Sequence, residues 1–156
     1  MRYAFDTPKG WSRSPFPPPQ RGVYLRAPVS TPSPEGASIL LFDAVAPAGS
    51  MEEHLAAIVK QGCEGAKVMK SGKPAPLRTA AYRAQSVTLQ AQVGSGRAAR
   101  EEVRIFVLVD TGAERLPVAY IGGVKSVPVY KAAFDALVAS IAPLELAPEL
   151  YSRWAE

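Results

Sequence analysis

Few side chains in this 156-residue chain are of the types that run reactions: one histidine, His54, one cysteine, Cys63, and 14 carboxylates. A catalytic histidine needs a nucleophile and an orienting carboxylate within hydrogen-bond reach. Cys63 lies nine positions after His54, which on a helix is about 2.5 turns and ~13 Å along the axis, on the opposite side. A Cys–His pair built that way fails. His54 therefore reads as a surface or boundary residue. Cys63, with Glu64 beside it and no cation closer than Lys60, reads as a bystander thiol.

Metal and phosphate chemistry fare no better. A structural zinc needs four nitrogen or sulfur ligands, more than one His and one Cys supply. Glu52, Glu53 and His54 are consecutive and point to different sides of a helix. No calcium loop of alternating Asp or Asn with a turn glycine is present. Gly122-Gly123-Val124-Lys125-Ser126 lacks the spacing of a phosphate-binding loop and reads as an ordinary strand-to-helix turn. Among carboxylates, Glu101 and Glu102 adjoin and would point to opposite faces of a strand. Asp110 and Glu114 remain the other candidates for acid–base work, which requires two carboxyls at a set separation. No cofactor is expected.

The elements that would position these groups read more firmly. Tyr3–Asp6 and Val23–Arg26 suit short strands, and Ala37–Val45, with Ile39, Leu40, Leu41 and Phe42 in succession, suits a strand covered on both faces. Ser50-Met51-Glu52-Glu53 matches a capping box. Met51, Leu55, Ile58 and Val59 then share one helical face, and Gly62 stands where a helix would end. In Thr79–Val93, alternation shifts from Ala80, Tyr82 and Ala84 to Val87, Leu89, Ala91 and Val93. That shift predicts one long strand with a bulge or bend near Gln85 and Ser86. Val103–Asp110 and Leu116–Ile121 follow across short loops, so antiparallel pairing is expected. A last helix opens near Pro128, repeats Tyr130, Ala133, Phe134, Leu137, Val138 and Ile141, and stops at Pro143. Strands followed by helices on an antiparallel sheet make an α+β fold, here a single domain over residues 1–156. The tail 143–156 would end in a short docked turn.

The net charge is +4, and residues 1–78 hold ten basic against six acidic side chains. Lys67, Lys70, Lys73 and Arg78 have no aromatic residue among them, so this stretch reads as a solvated loop and short strand rather than a nucleic-acid stripe. No aliphatic run approaches the ~20 residues of a membrane span, and no secretory h-region follows Met1; the cytoplasm is the expected location. Eight of the 15 prolines fall in the first 34 residues. The proline-rich segment 12–36, with polyproline II expected at Phe16-Pro17-Pro18-Pro19, reads as a stiff connector laid over the domain.

The opening Tyr3-Ala4-Phe5-Asp6-Thr7-Pro8-Lys9-Gly10-Trp11 resembles the start of the PsbP-like, DcrB-like and Mog-type superfamily, an aromatic short strand followed by Pro-x-Gly-Trp. The likeness extends through the element order and the Phe134…Ala139-Ser140-Ile141 ending, about residues 3–142. It implies a central antiparallel sheet flanked by helices and mostly non-enzymatic roles in binding or assisting other proteins. The chain departs from the family in its proline-dense stretch after Trp11.

These readings converge on a non-catalytic, bacterial-type accessory, adaptor or chaperone domain that binds another protein. Trp11, Arg13, Phe16, Tyr24 and Arg26 are its exposed contact candidates, chosen by residue type, although Trp11 after its Pro-x-Gly turn reads first as a cap on the core edge. A carrier of a small apolar ligand, held between the bent sheet and the final helix, is the alternative. A carboxylate-dependent hydrolase is the third.

Overall fold

A computed structural model describes residues 3–28 and 36–144. In chain order these form β1 (Tyr3–Ala4), β2 (Ser12–Pro15), β3 (Gly22–Arg26), β4 (Ala37–Phe42), α1 (Met51–Gly62), β5 (Lys67–Ser71), β6 (Ala75–Arg78), β7 (Arg83–Val93), β8 (Arg100–Asp110), β9 (Arg115–Gly123), α2 (Val127–Ser140) and β10 (Ala142–Pro143). One antiparallel sheet runs in the order β2-β3-β4-β9-β8-β7-β5, with β6 also paired to β7, while β1 and β10 form a separate ribbon. The α+β sheet with flanking helices is therefore the fold. Residues 29–35 of the proline-rich segment and the tail beyond Leu144 lie outside the described residues.

Each face of the sheet has its own core and its own helix. On one side Leu25, Ile39, Leu41, Ile105, Val107, Val109, Leu116, Val118 and Tyr120 close against Phe134, Leu137 and Val138 of α2. On the other, Val87, Leu89, Ala91, Phe106, Leu108 and Ala119 meet Leu55 of α1. Burying one such large apolar side chain contributes about 1.5–3 kcal/mol, so both helices are held chiefly by these faces and not by intrinsic propensity.

That arrangement explains the parity shift in Thr79–Val93, and corrects it. β7 stays in unbroken register with β8 from Arg83 opposite Asp110 to Val93 opposite Arg100, so there is no bulge at Gln85–Ser86. Ala84 belongs to the α2-side core and Val87, Leu89 and Ala91 to the α1-side core. The buried parity changes because the covering helix changes. The preceding residues form a hairpin: β6 pairs with β7, and the Thr79 hydroxyl accepts the Tyr82 backbone N–H at 2.9 Å to close the turn. The lysine-rich stretch thus contains two strands, one of them, β5, exposed along its whole length.

Three further expectations change. β4 is not covered equally on both faces, since its residues alternate buried and half-buried. Gly62 does not lie beyond α1 but is its last residue, before the cap Cys63. A Cβ there would stand 2.5 Å from the Phe106 ring, so glycine allows the helix end to approach the sheet. Val23–Arg26 is a strand as expected, within β3, but the residues before it are not a connector over the domain: Ser12–Pro15 pairs with β3 as a hairpin at the sheet edge. Ser50 does close a capping box with Glu53.

Candidate functional site

Of the five contact candidates, Arg13, Phe16, Tyr24 and Arg26 belong to the β2–β3 hairpin and Trp11 immediately precedes it, but they do not form one patch. Side chains opposite in register share a face of a sheet, and successive residues alternate. Arg13 stands opposite Leu25 on the α2 side, with its guanidinium 5.4 Å from the Phe5 ring centroid. Trp11 is on that side too, edge-to-face with Tyr130 at 5.7 Å and half-buried on the core. Tyr24 and Arg26 point the other way.

Phe16 is a correction: it is 8% exposed, not an exposed contact residue. Its ring lies 5.2 Å from that of Phe42. Gly22 permits this, because a side chain there would strike the Leu41 carbonyl and the Phe16 ring. The hairpin folds back and seals Phe16 beneath it.

Tyr24 and Arg26 belong to a surface that α1 leaves open. From β2 to β9 its rows read Ser14, Tyr24, Leu40 and Ser12, Arg26, Ser38, Ile121. Tyr24, Ser38, Leu40 and Ile121 are half-buried, while Ser12, Ser14 and Arg26 are exposed. The Tyr24 hydroxyl lies 2.7 Å from Ser38 Oγ, and the Arg26 guanidinium 5.7 Å from the Tyr24 ring centroid. The Ser38 hydrogen bond, aided by Arg26, lowers the Tyr24 phenol below its usual value against the opposing effect of burial. The surface mixes serine hydroxyls with the half-buried Leu40 and Ile121 and is crossed by the Tyr24–Arg26 pair.

His54 is buried, 7% exposed, and not a boundary residue. Its Nδ1 is 3.1 Å from Arg115 Nη1 and 3.4 Å from the Ala48 backbone N–H. Both are donors, so Nδ1 is the acceptor and the ring is neutral with its proton on Nε2. Desolvation, reinforced by the Arg115 charge, lowers the His54 pKa below 6.5. Cys63 is buried in the α1-side core. Arg115 had no signal in the sequence; its partner is 61 positions away.

The carboxylates are dispersed. Glu102, 9% exposed, holds Arg104 at 3.0 Å and Arg100 at 3.2 Å, and Arg104 donates to the Gly62 carbonyl at 2.7 Å. That cation caps the negative end of α1. Glu101 is exposed. Asp110 accepts from the Gly112 N–H at 2.9 Å, while Glu114 accepts from the Tyr3 hydroxyl at 2.9 Å. Ser126 of the glycine turn is fully buried, bonded to Tyr120 and the Gly123 carbonyl. Among the described residues no three His, Cys, Asp or Glu side chains gather to hold a metal ion.

A cleft of about 250 Å³ does lie between the sheet and α2. Its floor of Ile105, Val107 and Phe134 is at most 4% exposed, so it is a shallow notch over packed side chains. No helix among the described residues is long and apolar enough to cross a membrane.

No family model and no curated protein sequence matches this chain. Solved structures do. LpqN of Mycobacterium tuberculosis, involved in cell envelope biogenesis, aligns at a TM-score of 0.60 with 8% identity over 90% of this chain and 83% of its own. PA94 of Pseudomonas aeruginosa, a protein of unknown function, aligns at 0.56 with 16% identity over 85% and 96%. Cyanobacterial PsbP from Synechocystis aligns at 0.54 with 14% identity over 91% and 86%. At such identities the likeness concerns architecture alone: the chain has a PsbP-like fold.

Proposed function

We propose that this protein is a non-catalytic accessory domain that works by binding another protein, through the open half of the α1-side sheet face next to the β2–β3 hairpin. One observation carries the reading. Tyr24 and Arg26, stacked on each other, rise from a floor of Ser12, Ser14, Ser38, Leu40 and Ile121. Tyrosine and arginine are enriched at protein interfaces, and rigid aromatic area beside serine hydroxyls is the composition of antibody paratopes, where it combines with adaptable hydrogen bonding. Arg26, and Arg21 at the adjoining turn, have no carboxylate within ion-pair distance among the described residues, which favours an acidic partner surface. The PsbP-like fold agrees with a role of this kind, and the superfamily's DcrB- and Mog-type members extend that analogy.

The test is affinity capture from cells that make the protein, comparing wild type with Arg26→Glu. The reading expects a stoichiometric protein partner lost on charge reversal while the variant keeps its thermal midpoint. Capture that is equal for both proteins would overturn the assigned surface.

A further inference from the structure

A second region, on the same side of the sheet but past the N-terminal end of α1, has a different chemistry. Across β9, β8, β7 and β6, one row reads Arg115, Asp110, Arg83, Arg78, each opposite the next in register. None of these arginines has a carboxylate within ion-pair distance among the described residues. Like charges placed directly opposite, as Arg78 and Arg83 are, destabilise a sheet.

The carboxylates of this region are engaged elsewhere. Asp110 accepts from Gly112, and Glu52 accepts from Gln85 Nε2 at 3.1 Å. Arg115, 8% exposed, donates to the Ser50 carbonyl at 3.2 Å and contacts His54, while its buried Nε has no acceptor. Its charge is felt by Glu52, whose carboxyl pKa is lowered first by the Gln85 hydrogen bond and further by Arg115, but Arg115 and Glu52 are not in ion-pair contact. In front of the row opens a cleft of about 560 Å³, lined by Arg78, Arg83, Gln85 and the Asp110 carboxylate, with Met51 and Pro76 as its apolar wall. Of the ionised groups that line the cleft itself, two are cations, Arg78 and Arg83, and one is a carboxylate, Asp110. Ligand sites are commonly of this size, with a few polar groups set in apolar walls.

We propose that this cleft binds a small oxyanion, a phosphate ester or a polycarboxylate. Arg78 and Arg83 supply forked donors that match phosphate and carboxylate oxygens. The Arg115 charge at the end of the same row adds to the field, and Met51 and Pro76 receive the ligand's carbon skeleton.

The test is NMR titration of the full chain with inorganic phosphate and, separately, with citrate, each compared with chloride at equal ionic strength. We expect saturable shifts at the amides of Arg78, Arg83 and Gln85 with at least one of the two anions. Saturation by phosphate alone identifies a phosphate ester as the ligand class, and by citrate alone a polycarboxylate. Arg83→Gln weakens binding at least about tenfold, as loss of a charge-assisted hydrogen bond implies; the distant Arg97→Gln leaves it unchanged. Non-saturating shifts equal to those of chloride, or saturation that survives both Arg78→Gln and Arg83→Gln, would overturn the proposal.

Discussion

Arg115 Nη1 lies 3.1 Å from His54 Nδ1, and both side chains are more than nine-tenths buried. A histidine that accepts a hydrogen bond from a buried guanidinium cannot protonate without setting two cations together. Its folded pKa is therefore below the usual 6.5, by burial first and by Arg115 second. The unfolded chain binds a proton at His54 near pH 6.5 while the folded chain does not. Stability then falls as pH drops below that value, until the folded-state pKa is reached. In urea titrations at pH 7.5 and pH 5.5, His54→Gln should show a smaller loss between the two than wild type. An identical loss would place the pH dependence in other groups.

Gly62→Ala sets two effects against each other. Alanine favours a helix over glycine by about 1 kcal/mol, but here its Cβ would press on the Phe106 ring at 2.5 Å. Overpacking costs of about 1–3 kcal/mol are usual. The clash should win, lowering the thermal midpoint. A midpoint at or above wild type would mean that Phe106 yields freely.

Phe16 separates a core role from a contact role. At 8% exposure against Phe42, Phe16→Ala should cost about 3–5 kcal/mol in chemical denaturation, as large aromatic truncations in cores do. A change within about 0.5 kcal/mol is the mark of a surface residue and would restore the original reading of Phe16.

Ser50→Ala removes the hydroxyl that accepts the Glu53 N–H at 3.1 Å. Losing such a cap typically costs about 1 kcal/mol. Thermal melts of the single variant should register that loss, and Glu53→Ala should add less once Ser50 is gone, because both belong to one reciprocal motif.

What the sequence made legible was local. The capping box spans four residues and needs nothing distant, and α2 repeats its apolar positions strongly enough to mark its own extent. Between Lys67 and Arg78 the sequence suggests one short strand without bounds where there are two, because all five residues of β5 are exposed and carry no apolar alternation. The parity shift between Ala84 and Val87 is real in the sequence, yet its cause, a change of covering helix, exists only once both helices are docked. The pairing of His54 with Arg115, the arginine row and the burial of Phe16 all join residues far apart in the chain or in different strands. Residue type nominated Tyr24 and Arg26, but only register could place them on one face and Trp11 and Arg13 on the other.

The protein-binding role is tested most directly by hydrogen exchange on the captured complex against the free chain. Slowed exchange should concentrate in β3, β4 and the Ile121 end of β9, and Arg26→Glu should remove it together with the partner. Protection confined to the α2 side, or a purified chain that turns over a substrate and loses that activity when a single carboxylate is replaced, would contradict it.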